Sequence, residues 1–404
     1  MQTSLLIIDD IFPSNFSPFR DLEYTHYLKF FGATVLTTGG WHHYVPENPS
    51  LADILNASGL DSKDRCRVLP FVRQKVAAKL AYVTFLNNAW AHRRYLRKYQ
   101  IPFILQLYPG GGMELNQPDV DDKLRGVLLS PLLRKVITTQ NVTRDYVVGK
   151  IGCDPQKIEH IFGGVFRLDE GFDFWSDKFF FGRGKDTTDI CFVAHRYEND
   201  LSSKGYDRFV DVCREISARI PHARFHVVGS YTRDAINVSD FAEKITFYGV
   251  RDAAFFADFY PRMDIILSLN RPFVLNPGSY DGFPTGACME AGFRGVLNCI
   301  NDPLSMNLDF ADGKDIVILD DDMGRTIDRI AGLLANTDEL YRLASANCRS
   351  FRSVLNTDKQ LMARSRVITR ELISDHRPKL QDVAKRIRIH RILSNLRGLS
   401  PYRI

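Results

Sequence analysis

Short runs of apolar, β-branched residues separated by amphipathic stretches, arranged in two successive series, limit this chain to few folds. In the first half SLLIID (4–9), ATVLTT (33–38), PFILQLY (102–108), KVITT (135–139) and KIEHIF (157–162) read as strands. Helical stretches are expected between them, notably over 72–98. The pattern restarts with DICFVAH (189–195), ARFHVVGS (223–230), KITFYG (244–249), DIILSL (264–269), GVLNCI (295–300) and DIVILD (315–320), with helices expected at 204–219, 252–262, 285–293 and 324–335. Continuously apolar runs of this length are what a parallel sheet covered on both faces requires. Two such series predict an α/β chain of two Rossmann-like, doubly wound domains. The length of 404 residues agrees, since a single core seldom grows past about 250–300 residues.

The junction falls at 171–189, GFDFWSDKFFFGRGKDTTD, where polar and glycine punctuation precedes a fresh apolar strand. Its aromatic run (Phe172, Phe174, Trp175, Phe179, Phe180, Phe181) is expected to pack against a lobe. The organisation expected is a first domain over 1–172, a second over 173–360 and a basic helical tail over 361–404. Ligands of doubly wound sheets bind at the carboxyl ends of the strands, so two facing lobes imply an interdomain cleft.

No stretch reaches the roughly 20 apolar residues of a membrane span. The opening MQTSLLIIDDIF lacks a basic leader and reads as a strand. The seven cysteines are scattered without a C-x-x-C pair, which points away from disulfides and zinc and toward a reducing cytoplasm. Positive charge concentrates at the end: residues 364–404 hold eleven Lys/Arg against three Asp/Glu. Within 379–404, basic and apolar residues alternate at imperfect helical spacing. That segment reads either as a peripheral helix on an anionic membrane surface or as a helix packed across the first lobe. Nucleic acid is the weaker partner, because no recognition motif accompanies the charge.

Several chemistries are excluded by absence. There is no G-x-x-x-x-G-K-[ST] phosphate loop, no G-x-G-x-x-G after either opening strand, and no H-E-x-x-H or G-x-S-x-G. The second half instead carries an ordered set of features. Arg196 and Lys204 flank a loop at a strand's carboxyl end, and Lys204-Gly205 opens an amphipathic helix. Cations meeting a helix N-terminus suit a diphosphate, and a solvated surface pair is the plainer alternative. Gly249 ends a strand where backbone can approach a planar base. The loop LNRPFVLNPGSYDGFPTG then leads from Ser268 and Asn270 through Asp281 and Phe283 to a short helix. Amides near Thr285, Gly286 and Ala287 can cradle phosphate, and Glu290, among small residues, can accept ribose hydroxyls. The plainer reading makes Asp281 a turn cap and Glu290 an internal salt-bridge partner.

From Asp189 to Ala335 this set resembles the donor domain of retaining GT-B glycosyltransferases, glycosyltransferase family 4 in particular. The likeness lies in the Arg…Lys-Gly loop, IPHARFHVVGS, ITFYGV, MDIILSL and DGFPTGACMEAG. Asp281 and Glu290 stand for the family's E-x7-E pair, with Asp in the first place and eight residues between them. The resemblance implies that Glu290 binds the donor ribose, that Asp281 sits near the transferred sugar, and that Arg196 and Lys204 neutralise the departing diphosphate without a metal. It further implies a nucleoside-diphosphate sugar as donor, no permanently bound cofactor, and a glycan or lipid-linked acceptor in cell-envelope polysaccharide or glycoconjugate synthesis.

The first half matches more loosely. Its opening loop offers Arg20 as a cation, and its second loop offers Tyr108, Gly110, Gly111, Gly112 and Glu114. Glu114 reads either as an acid/base or acceptor ligand or as a surface residue on a flexible turn. Asp320-Asp321-Asp322 imitates a D-x-D metal site but precedes a helix, so capping is expected there. An inverting transferase or epimerase on the same scaffold, and a non-catalytic assembly or membrane-recruitment protein, are the competing functional readings.

Overall fold

The computed structural model describes residues 1–14, 17–43, 49–197 and 200–374; the basic segment 379–404 lies outside them. The first lobe is a seven-stranded parallel sheet of β1 (Gln2–Asp9), β2 (Thr34–Thr37), β3 (Val68–Pro70), β4 (Ala77–Thr84), β5 (Phe103–Leu107), β6 (Leu133–Thr138) and β7 (Ile158–His160), in the order 3-2-1-4-5-6-7. Two two-residue strands, β8 (Phe180–Phe181) and β9 (Gly184–Lys185), mark the junction. The second lobe is a six-stranded parallel sheet of β10 (Thr188–Val193), β11 (Ala223–Val228), β12 (Ile245–Gly249), β13 (Ile265–Ser268), β14 (Leu297–Asn301) and β15 (Val317–Leu319), in the order 12-11-10-13-14-15. In each sheet the winding direction reverses beside the first strand, between β1 and β4 and between β10 and β13. These switch points open a crevice at the strands' carboxyl ends.

All eleven expected strands are present, and the four expected second-half helices appear as Tyr206–Arg219, Ala253–Phe259 with a 3-10 turn to Arg262, Gly286–Phe293 and Met323–Ala335. One expectation fails. Residues 72–98 are not one helix: β4 occupies Ala77–Thr84 at the centre of the first sheet, and the helix is confined to Leu86–Lys98. The segment AAKLAYVT carries good helix formers, but Leu80–Thr84 is buried between β1 and β5. Burial on both faces overrides local propensity there. The short β3 was also unread.

The junction aromatics pack as expected. Phe174 and Phe180 are buried in the second core, and Trp175 stacks on Phe180 at 5.7 Å. Asp322 caps the helix Met323–Ala335 by accepting from the Arg325 amide, while Asp320 accepts from Arg325 and Asp321 faces Arg208.

After the helix Thr337–Val354 on the second lobe, the chain crosses back. Helix Thr357–Ile373 packs on β4, β6 and the helix Pro18–Phe31 of the first lobe. Its Arg364 is wholly buried, donating to Gln106 Oε1 at 3.1 Å, Gln360 Oε1 at 2.7 Å and the Tyr108 hydroxyl at 3.3 Å. Glu23 lies 3.9 Å away. Burial pushes the Glu23 carboxyl up, and Arg364 opposes that shift. Among the described residues no helix is long and apolar enough to cross a membrane.

Candidate active site between the lobes

A cavity of about 300 Å³ lies between the two sheets, at the carboxyl ends of β4, β5 and β6 on one side and of β10 and β13 on the other. The second-lobe wall includes His195, Lys204, Ser268, Asn270, Asp281 and Thr285 to Ala287. The first-lobe wall is Phe85, Tyr108, Pro109, Thr139 and Gln140, with Phe19, Gly163, Gly164 and Phe166 closing it.

Lys204 is held in place by its neighbour. Gly205 takes φ +74°, and a Cβ there would lie 2.1 Å from the Leu269 carbonyl oxygen. Only glycine lets the helix start approach β13 so closely, which aims Lys204 at the cleft. Its Nζ donates to Asp281 Oδ1 at 2.6 Å. Burial opposes the lysine's charge, but the Asp281 carboxylate outweighs it and raises the Lys204 pKa. Asp281 lies in the loop ahead of the helix Gly286–Phe293, so the pair's eight-residue spacing is taken up by irregular backbone and no helix phase is disturbed.

Thr285 caps that helix, its Oγ1 accepting from the Cys288 amide at 3.4 Å. The amides of Gly286 and Ala287 have no acceptor among the described residues and face the cavity. They form the positive end of a helix open to an anion. One turn further, Glu290 is half-buried and makes no hydrogen bond or ion pair among the described residues. Burial pushes its carboxyl up to about 7, against the pull of Arg294 and Arg167. Arg196 is half-buried too; its Nε is sequestered without a hydrogen-bond partner, 6.0 Å separates its guanidinium carbon from the Tyr231 ring centre, and it makes no ion pair with any described residue. Neither Glu290 nor Arg196 lines the cavity; each directly follows a residue of its wall, Met289 and His195.

Other expected residues stand elsewhere. Arg20 is buried and committed, 3.2 Å from Asp9 and 2.6 Å from Asp10, and does not line the cavity; it is no free cation for the cleft. Gly110, Gly111 and Gly112 all take positive φ and do not line the cavity; a Cβ at 111 or 112 would strike Phe85 or Asn87, at the start of the preceding helix Leu86–Lys98. Glu114 is half-buried beyond that turn and Gly249 ends an edge strand; neither lines the cavity. Phe283 is buried, contributing only its carbonyl. The helix Asn141–Gly149 after β6 meets the second lobe: Asn141 donates to the Ser305 carbonyl at 2.9 Å, and the Thr143 and Tyr280 hydroxyls meet at 2.6 Å. Sequence reading passed over Phe19, Phe85, Phe166 and Thr139, because nothing local marks an aromatic or a threonine as facing a distant lobe. Among the described residues no group of three or more His, Cys, Asp or Glu is placed to hold a metal.

Two facing parallel sheets with the cleft at their carboxyl ends are the GT-B glycosyltransferase fold, and this chain has that fold. Solved structures agree. A sucrose-phosphate synthase from Thermosynechococcus elongatus superposes with a TM-score of 0.63 at 11% identity, covering 91% of this chain and 98% of the other. A glycosyltransferase from Rickettsia africae gives 0.64 at 13%, covering 92% and 100%. HepE from Anabaena, in complex with UDP and glucose, gives 0.57 at 12%, covering 91% and 99%. No family model matches the sequence, and no curated protein matches it.

Proposed function

We propose that the protein is a glycosyltransferase that moves a sugar from a nucleoside-diphosphate sugar to a glycan or lipid-linked acceptor, with retention of anomeric configuration. One observation carries this reading most: a helix end with open amides at Gly286 and Ala287 shares a cleft with Lys204. As the bond from the sugar to the diphosphate breaks, negative charge grows on the departing phosphate. Preorganised amides and cations stabilise that charge without a metal. In this reading Arg196 supplies the second cation, for it makes no ion pair with any described residue. Glu290 accepts the ribose hydroxyls, which give its solitary carboxylate the hydrogen bonds it lacks. Asp281 keeps Lys204 charged and stands beside the transferred sugar. The second lobe takes the donor and the first the acceptor. Retention, the family 4 assignment and a role in envelope glycoconjugates rest on the sequence resemblance. HepE, which binds UDP and glucose on the same fold, makes UDP-sugars the first donors to test.

The test is a thermal-shift panel of UDP-, GDP- and ADP-sugars with the corresponding nucleotides. A binding donor raises the melting temperature by mass action, and Glu290→Ala abolishes the shift. If no nucleotide or nucleotide sugar moves the wild-type melting temperature, the protein is a non-catalytic member of the fold.

A further inference from the structure

Between Asp64 and Glu114 the chain holds nine Lys/Arg and no Asp or Glu, and the fold gathers several of these cations on one flank of the first lobe. Arg94, Arg97 and Lys98 are exposed on the helix Leu86–Lys98. The segment joining β3 to β4 is strapped along that helix. The Phe71 ring packs 4.5 Å from His92 and 5.1 Å from Tyr95, and the Tyr95 and Tyr99 hydroxyls donate to the Gln74 and Arg73 carbonyls at 2.9 and 3.4 Å. The strap thereby sets exposed Arg73 and Lys75 beside the helix cations. None of these five makes an ion pair among the described residues. Exposed arginines on other helices stand against acids, Arg125 with Asp122, Arg219 with Asp328 and Arg342 with Glu339. Here the crowding is of like charge: burial and the neighbouring Arg94 and Arg97 lower the Arg93 pKa. Apolar groups lie among the charges. Val72 on the strap is 71% exposed. The Arg93 guanidinium carbon lies 3.3 Å from the Trp90 ring centre, and Lys98 Nζ 5.1 Å from that of Tyr99.

We propose that this flank docks the protein on a membrane surface rich in anionic lipid. Headgroups neutralise the free cations, while the interface takes the exposed Val72 tip and the aromatic rings. A nucleic acid would use the same charges, but its bases need open aromatic faces to stack on. The Trp90 and Tyr99 rings are half-buried and have Arg93 and Lys98 beside them. Arg94, Arg97 and Lys98 lie roughly 14–20 Å along the helix axis from Phe85 at the cavity wall, so a docked protein keeps its cleft open. This inference stands apart from the donor-site reading and from the basic segment 379–404.

The experiment sediments the full chain with vesicles of phosphatidylcholine alone and of phosphatidylcholine with one-third phosphatidylglycerol. Wild type is compared with the triple variant Arg94→Gln, Arg97→Gln, Lys98→Gln and with Val72→Asp, the tail being present in all. A basic residue near an anionic surface contributes about fivefold to binding. The triple variant is therefore expected to bind the mixed vesicles about 100-fold more weakly, and Val72→Asp about fivefold or more. Wild type should leave the mixed vesicles as salt is raised. The melting temperatures of all three proteins should agree, because the substituted side chains are exposed. Equal binding of wild type and the triple variant would overturn the proposal, as would failure of wild type to prefer the anionic vesicles. So would an oligonucleotide bound more tightly than the vesicles and lost in the triple variant. None of these results alters the nucleotide-sugar thermal shift, so failure here leaves the donor-site reading standing.

Discussion

The two lobes use charge in different ways near the cleft. On the first lobe Arg20 is tied to Asp9 and Asp10, and Arg364 is surrounded by Glu23, Gln106, Gln360 and Tyr108. These cations are consumed internally and hold elements together. On the second lobe Arg196 and Glu290 make no ion pair among the described residues, while Lys204, which lines the cavity, is paired to Asp281. A charge left without a partner in a half-buried position is a cost that a bound ligand can relieve. On the proposed reading the contrast separates structural from functional charge in one molecule, although both kinds sit at strand ends or on helices beside them.

The comparison breaks most visibly at Arg364. Arg364→Leu strands the buried Glu23 carboxylate and is expected to lower stability by about 3–5 kcal/mol, measured by urea unfolding. Nucleotide affinity, corrected for the unfolded fraction, should stay unchanged; a selective loss of affinity would put Arg364 in the functional set. Arg196→Ala should behave in the reverse manner. Affinity for a nucleoside diphosphate is expected to drop about 10- to 100-fold with little change in melting temperature, and a large fall in stability would make Arg196 structural.

The pH dependence sharpens the case for Glu290. Its folded pKa of about 7 lies above the ordinary value of 4.5, so the native state holds this proton more tightly than the unfolded chain. The stability contributed by the protonated acid is therefore full below 4.5 and lost as pH rises through about 7. Glu290→Gln should remove this part of the pH slope, as read from melting temperatures across pH 4 to 8. Donor affinity runs the other way, because only the carboxylate accepts from both ribose hydroxyls. It should weaken as pH falls below about 7 in wild type and stay flat in the Gln variant. The smallest effect is expected at Asp281. Asp281→Asn frees Lys204 from a competing partner, so nucleoside diphosphate should bind up to about fivefold tighter while transfer slows. Weaker diphosphate binding would instead mean that Asp281 holds Lys204 in its working position.

The second lobe was the more legible half. Its six strands and four of its helices follow from local periodicity, the helix Thr337–Val354 being unread, and the Gly/Pro-rich loop before a short helix of small residues marked the proposed anion cradle at Thr285 to Ala287. The first lobe misled in specific places. The helix formers of AAKLAYVT hid β4, whose identity depends on burial between β1 and β5. Arg20 looked like a loop cation because the acids that claim it belong to the end of β1, ten and eleven residues earlier. Three glycines after β5 suggested backbone close to a ligand, but none lines the cavity, and Gly111 and Gly112 press on Phe85 and Asn87 instead.

What the amino-acid sequence determined alone was periodicity and punctuation: two series of buried parallel strands, their order along the chain, and a helix start able to hold phosphate. These are short-range properties, written in residues a few places apart. What only the tertiary structure decided was which charges remain free and which atoms share the cleft. Lys204 meets Asp281 across 77 residues, Gln140 meets Phe283 across 143, and Arg364 meets Gln106 across 258. Pairing at such separations is set by how the two sheets face each other, and no local pattern encodes it.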